Sequence, residues 1–354
     1  MKLTEQMVVA ALRFRETALW ENLDDGMIYA IKQPDESMAY YCVIGNAGTH
    51  FSLGCYRDDE GFSTYLAMLY GGQKDPKRIF EIAQSYNFIN CDFVNASKSL
   101  LTKEEKKFIR ETSESHGMKI KRSHGWPEFV KVYKGEHCAE LDNADDITAI
   151  VLGLEAGVSL SNRINNPPLG EGGLSYSGFD VDAEYPPLEG GQKIPLLVPQ
   201  ADGSFEWSHT FTPAFHPKKI DQVEFTDRET LDSLKKLPHK GIYQAKIVHM
   251  PTPVGNARHH YFPVVLLLAA LPNGFLIPVL SKSESKDPYG SIVSELVAMF
   301  AKHSVVPSLF QIDDERTELV LKRLCKQLGI KLEVEPFLEF VEEGWDFIYN
   351  MNAN

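Results

Sequence analysis

The sequence is poor in cysteine, and what little it has is not arranged for metal or disulfide chemistry. Five cysteines are scattered through 354 residues, and no two of them have C-x-x-C spacing. This pattern argues against a disulfide framework or a zinc ribbon and favours reduced thiols in a cytoplasmic protein. Cys42 and Cys55 could face each other across a hairpin, although two small buried apolar side chains are the simpler interpretation.

The sequence also lacks an uninterrupted hydrophobic run suited to a membrane. The stretch from Tyr261 to Leu280 carries no charge, but three prolines and an Asn-Gly pair interrupt it. Asn-Gly between apolar runs is typical of a tight hairpin, so we predict two buried strands rather than a transmembrane helix. Glu5 and Arg13 break the N-terminal apolar pattern, which is not typical of a signal peptide. We therefore expect a soluble protein with no membrane partner.

Basic charge is in deficit throughout. The chain has 36 basic and 49 acidic residues, a net charge of −13. Up to Lys219 there are 22 basic and 31 acidic residues, and beyond it 14 and 18. Binding to a phosphate backbone usually requires a basic surface, so nucleic acid is disfavoured as the main partner. Lys119, Lys121 and Arg122 form a local basic patch that could still bind it.

Complete catalytic and cofactor motifs are missing as well. The sequence has no Walker A loop, G-x-G-x-x-G, G-x-S-x-G or H-E-x-x-H. His249, His259 and His260 lie in or beside a predicted loop, and neighbouring residues on a strand point to opposite faces. Joint metal binding by His259 and His260 would need a loop conformation, so surface or turn histidines are the favoured interpretation. We expect no cofactor and no bound metal.

The most informative stretch runs from Ser308 to Pro336. It reads as a strand, an acidic turn, an amphipathic helix and a second strand, which predicts a parallel βαβ unit. Asp313 and Asp314 follow the first strand, at the sheet edge where α/β proteins place ligands. A simpler interpretation makes these acids a helix N-cap and first-turn charges, worth about 1 kcal/mol.

The length and the order of the predicted elements indicate two domains. Residues 1–212 are predicted to form an α+β module with an antiparallel meander. Residues 220–354 are predicted to form a mixed sheet of order β-β-β-α-β-α-β-α, the order of ribonuclease-H-like domains. The fold class therefore lies between α/β and α+β. Residues 167–195, rich in proline and glycine, are predicted to be a loop, a linker or a lid.

Two resemblances go beyond these patterns. Trp20 to Asp25 (WENLDD), Tyr40 to Leu69, Gly203 to Ser208 and Pro307 to Val334 resemble a bacterial family of uncharacterised two-module proteins, classified as domains of unknown function. That resemblance implies a two-module layout and no mechanism. Residues 309–336 also resemble the matching part of retroviral-type integrases and transposases, with a strand, an acid at its end, a helix and a strand.

A ribonuclease-H-like nuclease needs carboxylates on its first strand, at the end of its fourth strand and on a later helix, where they hold two divalent ions. Asp313 and Asp314 fill the second position. Candidates for the third are acids of the last predicted helix, namely Glu339, Glu342, Glu343 and Asp346. The first strand, residues 241–250, has no acid, and Lys246 and His249 stand in it instead. The catalytic set is therefore incomplete.

Three hypotheses follow for the function. The first, favoured because the catalytic set is incomplete, is a non-catalytic, cytoplasmic binding or regulatory protein. The alternative is a divalent-metal-dependent phosphodiesterase or nuclease that uses Asp313 and Asp314. The third is a module that forms a homo-oligomer through an exposed sheet edge.

Overall fold

The computed structural model of the chain describes residues 3–71, 76–85, 87–133, 135–138, 140–165, 178–180, 183, 185–216, 220, 222–281 and 287–352. The chain divides into two compact units, which we call the first unit and the second unit. The first unit comprises residues 1–217 and 255–260, and the second comprises residues 218–254 and 261–354. Much of the predicted proline- and glycine-rich segment, residues 167–195, lies outside the described residues.

The N-terminal part of the chain alternates helices with short strands. Its helices are α1 (Glu5–Thr17), α2 (Asp58–Gly71), α3 (Pro76–Ala83), α4 (Lys103–Ser115) and α5 (Ala144–Asn165). Its strands are β1 (Ile28–Lys32), β2 (Met38–Ile44), β3 (Ser52–Arg57), β4 (Phe88–Val94), β5 (Trp126–Tyr133), β6 (Glu136–Cys138), β7 (Lys193–Pro199) and β8 (Phe205–Phe211). Local sequence sets several boundaries: Thr102 and Glu105 form a capping box at the start of α4.

The C-terminal part has four helices and seven strands among its described residues. The helices are α6 (Arg228–Leu234), α7 (Pro288–His303), α8 (Glu315–Leu328) and α9 (Glu339–Asn352). The strands are β9 (Ile242–His249), β10 (Val254–Asn256), β11 (His259–Tyr261), β12 (Val264–Ala270), β13 (Phe275–Leu280), β14 (Leu309–Ile312) and β15 (Lys331–Val334). Asp287 caps α7 with Pro288 in its first turn, and Gly329 ends α8 in the left-handed conformation.

The sheet of the first unit has ten strands in the order β10-β11-β6-β5-β4-β3-β2-β1-β7-β8. The strands from β1 to β6 form an antiparallel meander, while β7 joins β1 in parallel. Helices α1 and α5 cover one face, and their contact buries Phe14 and Leu154 against the sheet residues Tyr29 and Tyr41. On the other face, α2 packs Phe62 in a second cluster of buried side chains.

The sheet of the second unit has five strands in the order β13-β12-β9-β14-β15. Strand β12 is antiparallel to both β9 and β13, whereas β9, β14 and β15 run parallel. One face carries Ala245 and Ile247 of β9 in a core with α7 and α8. The other face carries Val248 of β9 in a smaller core with Val341 and Trp345 of α9. The helices α8 and α9 therefore lie on opposite faces of this sheet.

Two sequence-based expectations need correction, and the alternative that Cys42 and Cys55 face each other is wrong, whereas both are free and buried as the simpler interpretation predicts. Tyr41, not Cys42, lies opposite Cys55, and the two cysteines belong to different buried clusters, so they do not face each other. The strand predicted from Tyr261 begins at Val264, because residues 259–261 form β11 in the other sheet. His249 is 3% exposed and is not a surface histidine.

One helix of the described residues is long and apolar enough to cross a membrane by length and composition. This helix is α5, and half of its most apolar window is buried inside the protein. Ile150, Leu154 and Leu160 are among its residues in the core of the first unit. A core helix of this kind meets the same criterion of length and composition as a membrane span, so α5 is weak evidence for one.

Candidate functional site

Strand β9 places polar side chains on the face that α9 covers. Side chains two residues apart point to the same face of a strand, so Gln244 and Lys246 share the face of Val248. At the other face, Ile247 contributes to the larger core. The result is a polar position in the middle of the sheet, next to the carboxyl end of β14.

Lys246 is the centre of a three-residue ionic cluster. Its ammonium donates to Oδ2 of Asp313 at 3.0 Å and also to Oε1 of Glu342. Asp313 directly follows β14, and Glu342 lies in the first turn of α9, so three separate elements meet at this point. The side chains of Lys246, Asp313 and Glu342 are only 20%, 12% and 19% exposed. We call this arrangement the lysine centre.

The electrostatics of the lysine centre favour a charged ammonium. Burial alone lowers the pKa of Lys246, but the hydrogen bonds and charges of Glu342 and Asp313 outweigh it, and the pKa is raised above its ordinary value. The ammonium therefore stays bound between two carboxylates throughout the physiological pH range. It occupies the space in which a cation shared by those carboxylates would lie.

Gln244 fixes the position of α9 relative to the sheet. Its side-chain oxygen accepts hydrogen bonds from the backbone N–H groups of Phe340 and Val341, at 3.0 and 3.3 Å. These N–H groups belong to the first turn of α9, where a helix has no internal acceptors for them. Since Gln244 lies two residues before Lys246 on the same strand, it also sets where Glu342 meets the lysine.

Asp314 has a structural role that is separate from the lysine centre. It is the N-cap of α8 and accepts from the backbone N–H of Thr317 at 2.9 Å and from its hydroxyl at 2.6 Å. The same hydroxyl accepts from the backbone N–H of Ile247 at 2.9 Å, beyond the last residue of β9 that pairs with β14. Asp314 thus ties α8 to β9, and the two adjacent aspartates have different roles.

The remaining candidates of the sequence lie outside the lysine centre. Glu339, Glu343 and Asp346 of α9 are exposed, so Glu342 is the acid of this helix that meets Lys246 beside Asp313. His249 lies at the end of β9 with its Nδ1 at 3.5 Å from a guanidinium nitrogen of Arg316. The spacing of the α9 acids did not distinguish Glu342 from its neighbours, because which of their side chains faces Lys246 depends on how α9 packs on the sheet.

One polar atom of the lysine centre is unsatisfied. Oδ1 of Asp313 is buried and has no hydrogen-bond partner among the described residues. A buried carboxylate oxygen without a partner is costly, and it is the kind of atom that an additional cation, proton or water would stabilise.

A separate apolar cavity lies in the second unit. Its volume is about 350 Å³, within the usual range for small-molecule sites. The described residues that line it are Tyr243, Leu268, Ile277, Met299, Phe300, His303, Val305 and Pro307. Tyr243, Leu268 and Ile277 belong to or pack against the core on the α7 side of the sheet, opposite the lysine centre. The cavity and the lysine centre are therefore different sites.

The fold and the lysine centre define a class: a two-unit α/β protein with an ionic cluster at the carboxyl ends of parallel strands. Two family models match the chain. One is described as Domain of unknown function (DUF7309) and matches residues 5–172. The other is described as Domain of unknown function (DUF6930) and matches residues 230–349. A comparison with curated proteins gives no match.

Among solved structures, the chain has a weak similarity to retroviral integrases. The catalytic core domain of HTLV-2 integrase, solved with magnesium in a dimeric form, is 16% identical with a TM-score of 0.23, and the match covers 33% of this chain and 71% of that one. A simian T-cell lymphotropic virus intasome in complex with PP2A regulatory subunit B56 gamma gives 15% identity and the same TM-score, over 39% and 49%. Scores this low carry no structural argument.

Proposed function

We propose that the chain is a non-catalytic binding or regulatory protein whose second unit is a degenerate ribonuclease-H-like module. The strand order β13-β12-β9-β14-β15, with β12 antiparallel to its neighbours, supports this assignment of the module. In such a module the first, fourth and helical catalytic positions correspond to β9, the end of β14 and a later helix. Lys246, Asp313 and Glu342 occupy those three elements.

The observation that carries the proposal is the ammonium of Lys246 between Asp313 and Glu342. Two-metal catalysis needs carboxylate oxygens that are free to bind divalent ions close together. Here a cation attached to the chain already binds both carboxylates and offsets one of their two negative charges, and its own strand supplies no third acid. Five free, buried cysteines are consistent with a cytoplasmic location, which is part of the proposal.

Calorimetric titration with Mg²⁺ and Mn²⁺ tests the proposal. We expect no binding to the wild-type lysine centre at millimolar metal. The variant Lys246→Asp replaces the ammonium with the missing carboxylate, and we expect it to gain Mn²⁺ binding and a metal-dependent rise in melting temperature. The matched control is Lys322→Asp, which makes the same change of charge at an exposed position of α8.

The alternative function, a divalent-metal-dependent phosphodiesterase or nuclease, draws on the unsatisfied Oδ1 of Asp313. This oxygen could bind one metal ion if Lys246 moved aside. Wild-type protein would then bind Mn²⁺ and hydrolyse a phosphodiester, and Asp313→Asn would abolish turnover while circular dichroism showed an intact fold. That set of results would replace the non-catalytic proposal with the catalytic one.

A further inference from the structure

Strands β6 and β11 of the first unit bring together three side chains of the types that bind transition metals. Glu136 and Cys138 lie two residues apart on β6, so their side chains project from the same face. His259 lies on β11, the next strand in the sheet. One ligand atom from each residue lies within 4.8 Å of the other two.

The contacts between these side chains are close. The thiol sulfur of Cys138 is 2.9 Å from Nδ1 of His259, and Nε2 of the same ring is 3.8 Å from a carboxylate oxygen of Glu136. Cys138 is buried at the floor of the cluster, whereas the side chains of His259 and Glu136 are 62% and 49% exposed. A small ion can therefore reach the thiol from solvent, past two side chains that are partly exposed.

The turn that carries His259 is held in a defined conformation. The side-chain oxygen of Asn256 accepts from the backbone N–H groups of Arg258 and His259, at 2.9 and 3.0 Å. Gly255 has φ +130°, and a Cβ there would lie 2.5 Å from the backbone oxygen of His259. Arg258 also forms two hydrogen bonds with Glu105, at 2.8 and 3.1 Å. The imidazole is thus presented by a constrained backbone.

From this geometry we propose that Glu136, Cys138 and His259 form a site for a borderline transition-metal ion, Zn²⁺ being the best match. Thiolate, imidazole and carboxylate are the three ligand types that Zn²⁺ takes, and three protein ligands leave one of four tetrahedral positions for water. In such a site the sulfur and the imidazole nitrogen are roughly 3.5 Å apart. A small rotation of the exposed His259 ring opens the present 2.9 Å to that distance.

A Cys-His-Glu row of this kind can also be interpreted as a nucleophile with its base, but the surrounding charge favours a cation. Reactive thiolates lie in electropositive surroundings. The thiol of Cys138 instead lies near the negative charges of Glu136, Asp142 and Glu140, of which Glu140 is also paired with Arg258 at 3.3 Å. Lys131, directly opposite on β5, bears the opposing positive charge, and it is already bound to the buried Asp146. A divalent cation compensates Glu136, which lies in the cluster, and takes the thiol as thiolate, with the released proton passing to solvent.

The inference concerns the first unit and is independent of the function proposed for the second. Its test uses Co²⁺ and Zn²⁺ with the full chain, whereas the lysine centre is tested with Mg²⁺ and Mn²⁺. Titration with Co²⁺ should give one equivalent per chain, with a sulfur-to-cobalt charge-transfer band in the near ultraviolet and visible bands of four-coordinate intensity. Zn²⁺ should displace the Co²⁺ and remove those bands.

Three variants assign the ligands. Cys138→Ser should remove the charge-transfer band, and both it and His259→Gln should weaken Zn²⁺ binding by more than about a hundredfold, beyond the effect of removing an outer partner. His260→Gln is the matched control, because the adjacent strand residue faces the other way, and it should bind as the wild type does. Melting curves without metal establish that each variant is folded. If Cys138→Ser does not fold, His259→Gln alone still tests the site.

The inference is overturned if wild-type protein binds less than one equivalent, or if the spectrum lacks the sulfur band. It is also overturned if His259→Gln binds as tightly as His260→Gln. Alkylation with iodoacetamide, mapped by peptide mass spectrometry, distinguishes a nucleophilic Cys138 from a metal-binding one. A metal site predicts that Zn²⁺ protects Cys138, whereas rapid alkylation of Cys138 that Zn²⁺ does not slow would support the nucleophile and overturn the metal site.

Discussion

At the scale of single residues, the function proposed for the second unit depends on Lys246. Its ammonium lies where two carboxylates converge, and it donates to one oxygen of each of them. A metal ion would have to displace a cation that is attached to the chain and that is only 20% exposed. The same residue therefore joins β9, β14 and α9, and in the proposed function it takes the place of the hard cation that a nuclease requires.

Replacing Lys246 by methionine should destabilise the protein, because Asp313 and Glu342 would lose their shared partner while staying largely buried. We expect a loss of about 2–4 kcal/mol in the free energy of unfolding, near the lower end for a broken buried ion pair. Urea denaturation measures it. Lys322→Met, which removes an exposed pair with Glu318, should cost no more than about 0.5 kcal/mol. Equal effects at the two positions would contradict a stabilising lysine centre.

The raised pKa of Lys246 also predicts an alkaline dependence of stability. A lysine whose pKa is higher in the folded state contributes stability that is complete below its ordinary value of about 10.5. That contribution is lost as the pH rises through the folded-state pKa. The difference in unfolding free energy between wild type and Lys246→Met should therefore be constant from pH 7 to about 10 and shrink above it. Buried tyrosines titrate in both proteins, so their effect cancels, and a flat difference would refute the prediction.

At the scale of elements, α5 shows how a single glycine allows a helix to pack closely against a sheet. Gly153 lies in the middle of this helix, beside the buried ring of Tyr41, whose hydroxyl donates to the backbone oxygen of Ala149 at 2.8 Å. The hydroxyl of Tyr29 donates to the backbone oxygen of Gly153 itself, also at 2.8 Å. Two stacked tyrosines thus lie against a helix that approaches them closely because it has no side chain at that point.

The change Gly153→Ala should destabilise the first unit, although alanine is the better helix former. The added Cβ would lie 2.2 Å from Cε1 of Tyr41, which forces the ring or the helix to move. Overpacking costs about 1–3 kcal/mol, against a gain of about 1 kcal/mol in helix propensity. We expect a net loss of up to about 2 kcal/mol in urea denaturation. Asn162→Ala, at an exposed position of the same helix, should be neutral or slightly stabilising.

Element boundaries whose signals are local can be predicted from the sequence. The capping box at Thr102, the Asp287-Pro288 start of α7 and the Gly329 end of α8 each lie within a few residues of the boundary they set. The acid-free first strand was visible too, with Lys246 in it. Glu342, rather than its neighbours on α9, contacts Lys246. This choice depends on hydrogen bonds between Gln244 and residues almost a hundred positions away, which no local signal predicts.

The shortest strands could not be predicted from the sequence either, because they too depend on contacts between distant residues. Strands β6, β10 and β11 have three residues each, too few to show a period of two. Cys138 and His259 lie 121 positions apart, so no spacing rule could associate them, and no sequence pattern indicated a metal there. The cluster of Glu136, Cys138 and His259 forms because distant segments pair in the sheet, and local sequence propensity does not predict such pairing.

At the scale of the whole molecule, the negative charge leads us to expect that nucleic acid is not the main partner. The net charge of −13 is spread over both parts of the chain, so the field around the protein repels a polyanion. Sheet edges offer another kind of partner. Among the described strands, β10 and β8 end the first sheet and β13 and β15 the second; β10 and β15 have only three and four residues, and β13 carries Pro278 within the strand. Short edges and proline both oppose pairing with another chain, so β8 is the best candidate for the self-association proposed from the sequence.

The charge leads to a last prediction, on nucleic acid. We expect no binding of the full chain to a 30-base-pair DNA duplex or to single-stranded DNA at about 150 mM salt, measured by fluorescence anisotropy, because few counterions would be released. Binding at low salt, where it occurs, should depend on the exposed Lys119, Lys121 and Arg122. Their triple change to alanine should abolish it. The same change at Arg228, Lys235 and Lys236 of the second unit is the matched control and should leave it intact. Tight binding at about 150 mM salt that survives the first triple change would contradict the electrostatic argument and would favour the phosphodiesterase alternative.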